Sequence, residues 1–332
     1  MDSGVYFTTK DAVGSAHDAK SVRRWLFIIL FSAVFLQRFG IPLGPDGTPF
    51  NLIVTLGAIG ALFLTGRVDV EPIRCALVLL FAAYSLVGTM FNGDHASWLS
   101  AGFVLATYIP FAFVLRDSDA YFTDCLRAYQ SMMVVCAACG IAQFFLQYVI
   151  SSHLLYTFHG FLPPAMLIDG FANLLPISYG SPLNRSNGFF MVEPSTFSQF
   201  VAIAIIIELV FFQVKWRLIL FGASLLFAYS GTGLVALVLV PVILLHRRSF
   251  GTIAVLLLFA GLAAMTSQLW HMDVIGKRAT EFNSNESSAH ARYFAPADLL
   301  AEYLLPFPQR LLFGAGPGSL RTYILLMPFE TH

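Results

Sequence analysis

The sequence predicts an all-α polytopic membrane protein, with about nine spanning helices and two long loops on one face. Three observations carry that reading. Of the 332 residues, 57% are hydrophobic, only 11% are charged, and the mean hydropathy is +0.74. Soluble domains carry roughly 25% charged residues, and a soluble fold of this length could not hide so much apolar surface. The apolar residues also fall in runs long enough to cross a bilayer, which takes about 20 residues each. Finally, the cations are placed with a strong bias. The formal net charge is zero, so placement informs where the total does not.

Taken in order, residues 1–24 are polar and include Lys10, Lys20, Arg23 and Arg24. They read as an N-terminal tail. "WLFIILFSAVFL" follows. A basic stretch before an apolar run is also how a signal peptide begins. Here no small-residue cleavage site follows and further spans come at once, so the run reads as a retained anchor. The expected spans are about 25–43, 50–66, 73–91, 97–115, 130–150, 195–213, 217–230, 232–246 and 251–269. "SGTG" is the tight turn between the seventh and eighth. Residues 25–269 form the expected membrane domain, and residues 270–332 a second long loop in which the chain ends.

Orientation follows from Lys and Arg in short loops, which concentrate on the cytoplasmic side. With the N-terminus inside, twelve of the nineteen cations are cytoplasmic: Lys10, Lys20, Arg23, Arg24, Arg67, Arg74, Arg116, Arg127, Lys215, Arg217, Arg247 and Arg248. Outside fall Arg38, Arg185, Lys277, Arg278, Arg292, Arg310 and Arg321. All but Arg38 lie in two long external loops, 151–194 and 270–332. That concentration is the main functional clue.

The first loop is rich in aromatic residues, among them Tyr156, Phe158, Phe161, Phe171, Tyr179, Phe189 and Phe190. It reads either as an aromatic belt at the outer membrane boundary or as a platform for stacking sugar rings or lipid. It closes on "NRSNGFFMVEP", with Arg185 and Glu193 at the lip of a span. A guanidinium presents a rigid fork of donors that matches phosphate oxygens. An external cation meets lipid phosphates and lipid-linked pyrophosphates rather than cytoplasmic ATP. Glu193, followed by Pro194, reads either as a helix-start residue, where a carboxylate suits the positive end of the dipole, or as a partner of Arg185 or of an acceptor hydroxyl. Glu208 lies toward the cytoplasmic half of its span, where Lys215 or Arg217 could neutralise it.

The four cysteines, Cys75, Cys125, Cys136 and Cys139, avoid the external loops, which argues against a disulfide framework. The spacing of Cys136 and Cys139 suits small packing residues on one helical face, and no zinc-type cluster is present. Gly314, Gly316 and Gly318 in "FGAGPGSLRTY" permit tight backbone turns. With no strand before them and no helix after them, they do not make a nucleotide-phosphate loop.

Several of these stretches resemble the O-antigen ligase and O-antigen or exopolysaccharide polymerase superfamily of membrane glycosyltransferases. They are "RSNGFFMVEPSTFS" before a span, "SGTGLVALVLV" at the head of another, "ARYFAPADLLAEYLLPFPQRLLFGAGPGSLRTY", and the terminal "ETH". The resemblance covers roughly residues 25–332. It implies a bacterial inner-membrane enzyme of the GT-C type, needing neither metal nor nucleotide. Such an enzyme transfers glycan from an undecaprenyl-pyrophosphate-linked oligosaccharide to a glycan acceptor at the periplasmic face, among membrane lipids and other polysaccharide-assembly proteins. Carried over by motif, Arg185 and Arg292 take the pyrophosphate-binding roles, with Arg310 and Arg321 as further candidate cations. His332 takes the role of base, and Glu193 stands beside it as a candidate catalytic residue. Two features depart from the pattern: the chain stops at His332, where complete members continue with further spans, and "SGTG" lacks the arginine often found in that turn. The alternative readings are a transporter or flippase of a polyprenyl-linked glycan, and an inactive membrane fragment.

Overall fold

A computed structural model describes residues 9–42, 47–92, 95–158, 161–168, 171, 173–178, 181–236, 297–298 and 300–319. The described chain is mostly helical with little sheet. Three of its helices are long and apolar enough to cross a membrane, Pro72–Phe91, Ser118–Leu146 and Pro194–Phe212; Phe50–Leu64 and Trp98–Ala112 are apolar but shorter.

Helix α1 (Thr9–Phe35) begins inside the stretch expected to be a polar tail and ends well before residue 43. Nothing between Thr9 and Phe35 stops a helix except the single Gly14, so the polar and apolar segments run as one. Beyond Phe35 the chain turns into a short antiparallel pair, β1 (Gly40–Ile41) with β2 (Thr48–Pro49), and enters α2 (Phe50–Leu64). Strand β3 (Val68–Val70) pairs antiparallel with β4 (Phe113–Leu115) in the register Val68↔Leu115. Between them lie α3 (Pro72–Phe91) and α4 (Trp98–Tyr108). The Glu71 carboxylate caps α3 by accepting from the Arg74 amide at 2.7 Å, and Pro72 opens the helix. The expected span 97–115 is therefore shorter than read. It tightens into a 3₁₀ turn at Ile109–Ala112, where Pro110 removes a backbone donor, and then becomes strand.

Helix α5 (Ser118–Leu146) is the central element, followed by the single turn α6 (Ser152–Tyr156). Helix α7 (Pro194–Ile207) continues as a wide π turn over Glu208–Phe212. Then come α8 (Lys215–Phe227), α9 (Gly231–Ala236) and α10 (Pro308–Phe313), the last preceded by a π turn at Leu300–Leu304. The eighth expected span lies outside the described residues beyond Ala236, and the ninth lies outside them entirely.

The main core forms where α1, α5, α7 and α8 meet, around Met133, Cys136, Phe197, Val201, Phe221 and Leu225. Helix α3 stands at the margin, exposing Leu77, Leu79, Leu80 and Met90. An apolar outer face of this kind suits hydrocarbon rather than water.

Helix ends sort into two sets. At one end β3 pairs with β4, Arg23 of α1 meets Asp124 of α5 at 2.9 Å, Arg116 pairs with Asp69, and Phe122 meets Phe211. At the other end the 151–194 loop covers the C-terminal ends of α1, α5 and α8. There too the 313–319 segment docks on the turn from α3 to α4. Buried Glu208 meets Arg217 at 3.6 Å and accepts the Val214 amide at 2.8 Å, so Arg217 is its cationic neighbour. All four cysteines are free, with Cys136 buried in the core.

Candidate functional site

The 151–194 loop, read from sequence as an aromatic belt or a stacking platform, is folded onto the helix ends. Tyr156, Ile177, Ser186, Asn187 and Met191 are buried. Part of its aromatic content is packing: Phe190 meets Phe35 edge-on at 4.8 Å, and Phe158 meets Phe189 at 5.2 Å. Phe161 and Phe171 remain exposed.

Two polar side chains on α5 hold the segment around Arg185. Gln147 accepts from the Asn184 amide at 2.7 Å and donates to the Asn184 carbonyl at 3.3 Å. One turn earlier, Gln143 donates to the Asn187 Oδ1 and the Leu155 carbonyl, both at 2.9 Å. Its own Oε1 accepts from Ser186 Oγ at 3.0 Å and from the Asn187 amide at 3.1 Å. Gln143 therefore has a polar neighbour at each of the four positions open to a primary amide, the Ser186 hydroxyl being shared with the Gly140 carbonyl at 2.9 Å.

Arg185 itself folds back along its loop. Its Nε donates to the Pro176 carbonyl at 2.9 Å and its Nη2 to the Ile177 carbonyl at 3.2 Å. A guanidinium carries five N–H donors, so these bonds orient the fork without exhausting it. Arg185 forms no ion pair with Glu193. Of the readings the sequence offers for Glu193, the structure places it at the start of α7. It occupies the N-cap position with extended backbone, Pro194 follows as first helical residue, and its carbonyl accepts the Phe197 amide at 3.1 Å. Its carboxylate makes no cap bond and instead accepts from Ser195 Oγ at 2.8 Å.

From Ser195 a chain of hydroxyls reaches the "SGTG" turn. The Ser195 carbonyl accepts from Ser198 Oγ at 2.8 Å and Thr232 Oγ1 at 3.2 Å. Ser198 and Thr232 hydroxyls lie 3.0 Å apart, and Thr232 and Ser230 hydroxyls 2.9 Å apart. Gly233 permits the approach, because a Cβ there would stand 2.5 Å from the Ser198 carbonyl oxygen. Two motifs 35 residues apart in sequence, the "EPSTFS" head of α7 and the "SGTG" head of α9, are thus one hydrogen-bonded junction, with Gly233 N donating to Ser198 Oγ at 3.2 Å.

The glycine-rich segment of the second loop is a packing device. Gly314, Gly316 and Gly318 have φ of 70°, 80° and 84°. The Gly314 carbonyl accepts from Asn92 at 2.9 Å, and the Pro317 carbonyl accepts from the Ser97 amide at 2.9 Å. Arg310, in the last turn of α10, lies over the Phe307 ring at 4.4 Å and donates to the Tyr303 carbonyl at 3.4 Å. It belongs to the segment docked on α3 and α4, whereas Arg185 belongs to the loop held by α5. Arg292, Arg321 and His332 lie outside the described residues.

Sequence reasoning missed Arg38. It sits in the turn after α1, only 4% exposed. It donates to the Tyr156 carbonyl at 2.7 Å and the Phe189 carbonyl at 2.9 Å, and its guanidinium stacks over Phe158 at 4.0 Å. Burial pulls its pKa down to about 10, so it stays charged at neutral pH. The available signal was its standing as the one external cation outside the long loops. Gln143 and Gln147 were missed too. Their signal was two amides four apart, hence on one face, at the end of an apolar span. Among the described residues, no three His, Cys, Asp or Glu side chains gather as a metal site would require. No family model, curated protein or solved structure matches the chain.

Proposed function

We propose that this chain is a membrane glycosyltransferase of the polymerase or ligase kind, acting on undecaprenyl-pyrophosphate-linked glycan at the periplasmic face of a bacterial inner membrane. In this reading nine spans cross the membrane with the N-terminus in the cytoplasm. The observation that carries the reading is the junction of "EPSTFS" with "SGTG", together with an Arg185 held in the loop directly before it. Two of the motifs that suggested the family from sequence, "EPSTFS" and "SGTG", lie together at one end of the helices.

The chemistry follows from the parts. An acceptor hydroxyl attacks the anomeric carbon. The new bond forms as the bond from that carbon to the pyrophosphate oxygen breaks, and the hydroxyl proton passes to a base. Negative charge grows on the departing pyrophosphate, so fixed cations lower the barrier. Arg185 and Arg292 supply that charge, with Arg310 and Arg321 as further external cations. His332 is the proposed base. Glu193, next to the hydroxyl chain, contacts the acceptor hydroxyl.

The test uses the full-length gene in its host, with polymer length read on a gel and protein level measured in the membrane. Arg185→Ala and Arg292→Ala are each expected to abolish long polymer. Arg185→Lys is expected to restore little, because an ammonium cannot reproduce the bidentate fork. Glu193→Gln is expected to shorten the polymer while the protein accumulates normally. Unchanged polymer in both alanine variants would overturn the assigned roles.

A further inference from the structure

We propose that Gln143 and Gln147 of α5 are positioning residues that set the guanidinium of Arg185, an inference resting on the reading of Arg185 as the pyrophosphate grip. The two amides lie one helical turn apart and contact the residues flanking Arg185 on both sides. Gln147 holds both polar groups of the Asn184 backbone, and Gln143 holds Ser186 and Asn187. Arg185 is therefore bracketed by two side chains rooted in α5, the longest apolar helix among the described residues.

The bracket also fixes where the guanidinium goes. With Asn184 held, Pro176 pairs with it as an isolated antiparallel bridge, and the Arg185 amide donates to the Leu175 carbonyl at 2.8 Å. That places the Pro176 and Ile177 carbonyls where the Arg185 side chain can donate to them. Tyr156 Oη adds a bond to the Asn184 carbonyl at 3.2 Å. A neutral amide is the side chain suited to this task. It meets a peptide group with one donor end and one acceptor end and brings no competing charge beside a cation that has to bind phosphate. A carboxylate in the same place would repel the carbonyls and attract the guanidinium. An aliphatic residue at 147 would leave the half-buried Asn184 amide without the acceptor it has here.

A positioning residue acts through the group it positions, and a double-mutant cycle detects this. The full-length protein is purified in detergent, and binding of undecaprenyl pyrophosphate alone is measured for wild type, Arg185→Ala, Arg185→Lys, Gln147→Ala and the double variant Arg185→Lys with Gln147→Ala. Gln147→Ala is expected to weaken probe binding by about five- to tenfold in the wild-type background and by under about twofold beside Arg185→Lys, since contacting groups couple. The same fold-loss in both backgrounds, or no loss in either, overturns the inference. If Gln147→Ala fails to accumulate, Gln147→Asn, which keeps a neutral amide but draws it back by one methylene, goes through the same cycle with the same criterion. The two layers fail separately. Tight probe binding by Arg185→Ala overturns the reading of Arg185 and the inference with it. Weak binding by Arg185→Ala combined with additive losses overturns the Gln147 assignment alone.

Discussion

A charged side chain in an apolar protein is informative only once its head is located, and Arg38 shows why. Its two donated hydrogen bonds reach carbonyls 118 and 151 positions away, so one residue after α1 joins both ends of the 156–189 segment. Truncation would strip two carbonyls of charge-assisted bonds and Phe158 of its cation. Arg38→Ala is accordingly expected to cost about 2–4 kcal/mol of stability, by the size of lost charged hydrogen bonds and a desolvated cation–π contact. Arg38→Lys should recover less than half, since one ammonium cannot serve both carbonyls and stack as a plane. Thermal unfolding of the purified protein in detergent checks both, and equal stability of wild type and Arg38→Ala would refute the pinning role. The sequence marks Arg38 as an outside cation but not as a buried one, because turning inward depends on carbonyls far along the chain. Glu208 was easier to place: its partner Arg217 lies nine residues on, across one turn.

Helices here are fitted to one another through glycines, and the fit is selective. The fully buried Phe197 ring of α7 passes between Gly140 of α5 and Gly188 of the loop. Cβ atoms built there would stand 2.7 Å and 2.5 Å from the ring. Gly57 of α2, by contrast, has nothing within 4 Å of such a Cβ. Alanine should therefore act with opposite sign at the two helical sites. Gly57→Ala is expected to be neutral or stabilising by up to about 1 kcal/mol, through helix propensity. Gly140→Ala is expected to destabilise by about 1–3 kcal/mol, through overpacking against an aromatic ring. Unfolding temperatures of the two variants, measured side by side, decide it; a stabilised Gly140→Ala would mean that the ring moves freely. Hydropathy located α2, α3, α7 and α8 to within a few residues, because a run of apolar side chains and its helix share the same cause. It mislaid the ends of α1 and α5, whose polar first turns continue the helix without a break, and of α4, where Pro110 and a strand pairing end it. The junction of "EPSTFS" with "SGTG" was visible only as two separate motifs, since nothing local in either says that Ser198 and Thr232 meet.

At the scale of the whole molecule, the sorting of helix ends is the strongest constraint on topology. Every cation assigned to the cytoplasm from Arg23 to Arg217 belongs to the end where β3 pairs with β4. Arg38, Arg185 and Arg310 belong to the other end, where the loop and the glycine-rich segment dock. Helices crossing a slab in alternation would produce this division, and under the proposed topology cation counting would put the β3–β4 end in the cytoplasm. Sidedness can be read with single cysteines in a background where Cys75, Cys125, Cys136 and Cys139 are replaced. Ser178→Cys and Lys20→Cys both fall on exposed positions, one in the Arg185 loop and one on α1. A membrane-impermeant maleimide applied to spheroplasts is expected to modify Ser178→Cys at once and Lys20→Cys only after permeabilisation. Modification of both from outside would overturn the opposite placement of the two helix ends. Modification of Lys20→Cys alone would place Arg185 on the wrong face to meet a lipid-linked pyrophosphate in the outer leaflet. The glycan-transfer reading would then fail on topology alone, whatever the fork geometry of Arg185.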